Sequence, residues 1–121
     1  MTGESFDTLP WHDAVILDMR IDRRRPGDAD EVVLSVLWSN DKQTRIRFVG
    51  CYALDAQLNF GIVAAETVRL AIEQEQSEEL RALREKWARV GVDLAAVKCF
   101  SIETNSTASA IKVYAQGWVQ E

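Results

Sequence analysis

The residue types best suited to acid–base, nucleophilic or metal chemistry are few: the adjacent pair His12-Asp13 and two cysteines, Cys51 and Cys99. His12 is the sole histidine. A histidine with an orienting carboxylate can act as a base, but neighbours along a strand project to opposite faces, so adjacency alone does not build a relay. The pair reads better as hydrogen bonding at the start of the first strand. One histidine and two well-separated cysteines lack the ligand number and spacing of a zinc site, so no metal is expected. A thiol nucleophile at Cys51 or Cys99 with His12 as base would need a lowered thiol pKa, and neither cysteine sits at a helix start or in a charged neighbourhood. Both read as small buried hydrophobes. No catalytic residue is assigned and no cofactor is expected.

Two further groupings suit contact rather than chemistry. Arg20, Arg23, Arg24 and Arg25 cluster at a predicted hairpin, and Arg45 and Arg47 share the outward parity of a later strand. Together they could form a basic patch, although Asp18, Asp22, Asp28 and Asp30 are interleaved with them and favour a solvated, largely neutralised face. No glycine-rich phosphate loop accompanies the arginines. Tyr114 and Trp118 lie on the parity opposite the core residues of the last strand. Aromatic rings on an outer sheet face can serve a protein contact, with Trp11 as a companion, or can cover a helix or a neighbouring strand. Asn105-Ser106-Thr107 matches a glycosylation sequon but reads as a turn.

Composition bounds the setting. At 121 residues, with 47% hydrophobic and 27% charged residues, the chain is expected to form one domain over 1–121 with a self-sufficient core. The polar start, residues 1–8, carries no secretory signal, and no apolar run approaches the roughly 18 residues of a membrane span, so a soluble, cytoplasmic protein with reduced thiols is expected. The net charge of -5 disfavours nucleic acid and suits a basic protein partner.

Positioning these residues falls to a predicted α+β fold. Val15, Leu17, Met19 and Ile21 alternate as a half-buried strand, and residues 23–30 with Pro26-Gly27 form a hairpin loop. Val32, Leu34, Val36 and Trp38 alternate next, followed by Thr44, Ile46 and Phe48 opposed by Arg45 and Arg47. Residues 51–60 read either as a short fourth strand or as an irregular crossing. Ala65, Val68, Ile72, Leu80, Leu83, Trp87 and Val90 recur at helical spacing, which predicts one long helix or two collinear ones over 61–91, with Ser77 as an internal cap and Gly91 as the stop. Phe100 and Ile102, then Ile111, Val113, Ala115 and Val119, form a last hairpin. The expected architecture is an antiparallel sheet of five to six strands, the helical segment being inserted before the last hairpin and packed on one face.

The segment Leu9-Pro10-Trp11-His12-Asp13-Ala14-Val15, the Ile46-Arg47-Phe48 strand with its continuation over 51–54, and the spaced Ser109, Ile111, Val113 and Ala115 resemble small bacterial proteins that open on a Leu-(x)-His-Asp signature. That group includes uncharacterised families and immunity proteins of polymorphic toxin systems. The resemblance implies a non-enzymatic binding domain with His12 and Asp13 as signature positions; Pro10-Trp11 and the long charged segment 73–89 depart from the pattern. Three functional readings follow. The first is a non-catalytic protein-binding module, immunity-like, whose acidic surface and aromatics meet a partner. The second is a small-ligand-binding domain or minor enzyme with a pocket between helix and sheet near His12, Cys51 and Trp87. The third is a structural homodimer with Tyr114 and Trp118 at a two-fold contact.

Overall fold

The computed structural model describes residues 5–27 and 30–121; Met1 through Glu4, Ala29 and Asp28, one of the acids expected to offset the arginines, lie outside them. Six strands make one antiparallel sheet: β1 (Val15–Asp22), β2 (Glu31–Leu37), β3 (Gln43–Gln57), β4 (Val68–Gln74), β5 (Lys98–Thr104) and β6 (Ala110–Gln120), with α1 (Glu78–Ala88) between β4 and β5. The strand order is β1-β2-β3-β6-β5-β4. β4 returns beside β1, where Val15 bridges Thr67. Ile16 N donates to Glu66 O at 3.0 Å and Val68 N to Ala14 O at 2.7 Å. The sheet thus closes on itself through a single bridge, and the placement of β4 next to the β1-β2-β3 meander is a Greek key.

The expected helix over 61–91 is not formed, and the α+β description gives way to a predominantly β fold with one 11-residue helix. β4 occupies the first part of that segment. The reason lies in a register irregularity between Val68 and Leu70, where β4 carries one extra residue against β5. The bulge puts Val68 and Ala71 on the same buried face, three positions apart. That spacing imitates a helix although the backbone is extended. The second part is helical as its caps predict: Leu80 N donates to the Ser77 hydroxyl at 3.1 Å, and Gly91 ends the run with φ of 81°.

Bulges re-phase two other strands. β1 shifts register between Ile16 and Asp18, so Ile16 and Met19 pack against the core, while Leu17, expected inside, is 45% exposed. In β3, Gly50 adopts φ of 64°. Opposite it, β6 switches its inward residues from Ile111, Val113 and Ala115 to Trp118. Val119, expected inside with them, is exposed. β3 runs unbroken through Gln57, which makes 51–57 strand. The kink at Gly50 bends this long strand, a device suited to curling a sheet toward closure.

The interior belongs to one aromatic cluster. Phe6, in a 3₁₀ turn at Phe6–Thr8, is fully buried. Its ring lies 5.0 Å from Trp11, 5.9 Å from Phe48, 5.2 Å from Phe100 and 5.8 Å from Trp118, centroid to centroid. Trp11 Nε1 donates to Phe6 O at 2.8 Å, which ties the turn to the segment leading into β1. A second cluster lies on the outer face of the sheet, where Leu80 of α1 meets Leu94, Val97, Cys99 and Tyr114.

Polar bonds hold the segment before β4. Glu66 accepts from the Thr107 hydroxyl and, at 3.4 Å, from the Ser109 hydroxyl, and the Asn59 N–H donates to Ser109 Oγ at 2.9 Å. The sequon Asn105-Ser106-Thr107 is the turn that supplies much of this network, with Ser106 Oγ donating to Ala65 O at 2.6 Å. Burial pushes the Glu66 carboxyl up, but the bonds from Thr107, Thr104 and Ser109 together outweigh it and hold it below its ordinary value of 4.5.

Two outcomes are expected. Phe6→Ala should lower unfolding free energy by about 3–5 kcal/mol in urea titrations, because it empties the centre of the aromatic cluster. Glu66→Gln should cost roughly 1 kcal/mol at neutral pH. Since the folded state holds the Glu66 carboxyl below 4.5, that advantage of the parent chain is complete above pH 4.5 and shrinks as pH falls through the folded value. Paired denaturation curves at several pH values measure it.

Candidate functional site

Where the sheet bends at Gly50, β3 parts from the loop that joins β1 to β2, and the last turn of α1 comes over the gap. Two adjoining hollows of about 380 and 290 Å³ open there, sharing Arg23, Asp30, Cys51 and Tyr52. Ile21, Asp22 and Glu31 extend the wall on one side, and Gly27, Gly50 and Trp87 on the other. The register irregularity between Cys51 and Ala53 sets the lining. It leaves Cys51 against the inner core and turns Tyr52 toward α1, where its ring meets Trp87 edge-on at 5.4 Å.

The carboxylates around this cleft differ in their partners. Asp22 is bound by Arg24 through Nε–Oδ1 at 3.1 Å and Nη2–Oδ2 at 2.7 Å, and these bonds hold its carboxyl well below the usual carboxylate range. Glu31 lies 3.6 Å from the Arg47 guanidinium, which also pairs with Glu121. Asp30 Oδ2 accepts from the Gly27 N–H at 3.1 Å. Its other oxygen, Oδ1, is buried with no hydrogen-bond partner, alone in this among the side-chain atoms of the described residues. A buried acceptor left unsatisfied costs about 1–3 kcal/mol, so such atoms point to strain or to a missing donor.

Cys51 is not poised as a nucleophile. Burial, with further contributions from Asp30 and Glu31, pushes its thiol up to about 11, and the Sγ–H faces Phe48 O at 3.4 Å. Burial likewise raises the Cys99 thiol, which lies across the β5–β6 ladder from Tyr114.

The remaining expected contact residues lie elsewhere. His12 and Asp13 form an exposed turn, their side chains 94% and 65% accessible and 3.4 Å apart, and neither borders the cleft. The pocket expected near His12, Cys51 and Trp87 thus brings together the latter two without the histidine. Trp11 is buried against Phe6 and Trp38. Tyr114 is buried beneath α1, and Trp118 is half-buried and turned toward Phe6. These rings therefore do not form the outward aromatic face expected for a partner contact or a two-fold homodimer. The expected basic patch is also divided. Arg20, Arg24, Arg45 and Arg47 border an open groove of about 410 Å³ together with Asp18, Asp22, Glu31 and Glu121, which balances their charge. Arg23 faces the cleft instead, and Arg25 is exposed in the connecting loop.

Sequence reasoning passed over Tyr52 and took Asp30 only as a counter-charge to the arginines of the loop, with none of which it forms an ion pair among the described residues. The signal for Tyr52 was Gly50, a glycine inside an otherwise regular strand, which marks a bulge or bend. Asp30 gave none, because its isolation exists only once β1, β2 and β3 are assembled.

Because the Cys51 thiol is held near 11, its alkylation by iodoacetamide should stay far slower than that of a free cysteine at pH 8 and accelerate as pH approaches 11. Peptide mapping by mass spectrometry follows the rate at each pH; rapid modification at pH 7 would contradict the assignment. No protein-family model, curated protein or solved structure matches the chain, so the functional reading rests on the geometry of this cleft.

Proposed function

We propose that the protein is a non-catalytic binding domain that engages a protein partner through the cleft between the β1–β2 loop, the β3 bend and α1. The observation that carries this reading is the Asp30 carboxylate, which lines both hollows beside Tyr52 and has no ion-pair partner among the described residues. Interfaces are enriched in aromatic residues, which supply contact area at small entropic cost beside a polar group that fixes the register. Tyr52 and Trp87 stand in that relation to Asp30. The net charge of -5 favours a basic partner. An immunity-like role, in which a cytoplasmic domain of this kind occludes a basic toxin, falls within the reading. Among the described residues no helix is long and apolar enough to cross a membrane.

A second reading is favoured by the hollow of about 380 Å³, which falls within the range of small-molecule sites. The two separate by experiment. Immobilised parent chain should retain a protein partner from a lysate of its source, and Trp87→Ala, assayed well below its own melting temperature, should lose it at least 10-fold. Retention that ignores Trp87→Ala would place the contact elsewhere and defeat the reading. A metabolite that raises the melting temperature, with no protein retained, would favour the small-ligand alternative.

A further inference from the structure

The ligand chemistry of the cleft follows from which of its acids is already neutralised. Arg24 binds Asp22 with two nitrogens, and Arg47 faces Glu31. Asp30 has neither an arginine nor a lysine within ion-pair distance among the described residues; one backbone N–H contacts one of its oxygens. A donor that carries positive charge suits a cleft-lining carboxylate without a counter-ion, since charge-assisted hydrogen bonds are roughly twice as strong as neutral ones.

The opposite wall narrows the class of cation. Tyr52 and Trp87 border the same hollow as Asp30, and aromatic rings attract organic cations through their π-electrons. Among the described residues, no three side chains of the metal-ligating types converge, which separates the site from one built for a divalent ion. Between the cationic side chains, a planar guanidinium both stacks on aromatic rings and donates in a fixed fork, whereas an ammonium is a compact, strongly hydrated charge.

We infer that the cleft receives an arginine side chain of a basic peptide segment, its guanidinium paired with the Asp30 carboxylate and lying against Tyr52 and Trp87. This inference rests on the binding-domain reading above and adds the chemical identity of the group received. Arg23, exposed on the rim of both hollows, is the opposing charge in the design: it repels an incoming cation and competes for the same acid.

Calorimetric titration with three otherwise identical five-residue peptides, each carrying two arginines, two lysines or two glutamates, tests it. The arginine peptide should bind at least about 10-fold more tightly than the glutamate peptide and detectably better than the lysine peptide. Asp30→Asn should weaken the arginine peptide about 10- to 100-fold, the range for a hydrogen bond to a charged group, and Arg23→Ala should tighten it. Asp41→Asn, which removes an exposed charge in the β2–β3 turn, controls for general attraction to an acidic protein. Trp87→Leu provides a second variant should Asp30→Asn alter folding, and it should also weaken the complex. Equal effects of Asp30→Asn and Asp41→Asn, preference for the glutamate peptide, or weaker binding in Arg23→Ala would each overturn the inference. If partner retention still depends on Trp87 while the arginine peptide fails to bind, the cation assignment falls and the binding domain stands; if retention is also indifferent to Trp87, both fall.

Discussion

Burial of one phenylalanine organises this molecule. An antiparallel sheet that curls toward closure must fill its interior, and the strands alone supply Phe48, Phe100 and Trp118 around a space that none of them occupies fully. The chain fills it from outside the sheet, bringing Phe6 in on a single 3₁₀ turn and anchoring that turn through the Trp11 indole. Tilted and edge-on ring contacts add favourable geometry to the loss of apolar area from water. The N-terminal segment is thus part of the core, and β1 follows it directly, bridged at its start to the residue before β4.

The same closure explains the irregular strands. A six-stranded antiparallel sheet cannot stay regularly pleated and also return its last strand to its first; bulges and positive-φ glycines supply the necessary bends. Here they fall at Leu17, Gly50, Tyr52 and Arg69. Each one exchanges the inward and outward faces of the residues that follow, so each moves side chains between the interior cluster and the outer surface that carries α1. Tyr114 goes to the helix and Trp118 to the interior although four positions separate them on one strand.

This is also why the sequence was only partly legible. Where strands are regular, as in Val32 to Val36 or Ile111 to Ala115, alternation shows both the element and its buried face. At Arg69 a bulge gave extended backbone the spacing of a helix, and the reading of 61–91 followed the spacing. Phe6 carries no periodic signal at all: it is one apolar residue in a polar start, and its importance arises from a cavity made by residues far along the chain. For the cleft, Cys51 and Trp87 were legible as neighbours of a helix–sheet boundary, whereas His12 attracted notice for its chemistry and stands in solvent. Asp30 resembled any other acid of a charged loop until the arginines that could have neutralised it were found on Asp22 and Glu31.

The bend at Gly50 has a consequence for recognition as well as for shape. Tyr52 and Cys51 are held by a strand paired on β6 over most of its length, and Trp87 by a capped helix, so three of the groups around the cleft begin from rigid elements. A surface assembled in this way loses little configurational entropy when it is occupied. The ordering cost of a complex would then fall mainly on the incoming segment, which allows an extended, unstructured chain to be bound by a domain that hardly changes its own form.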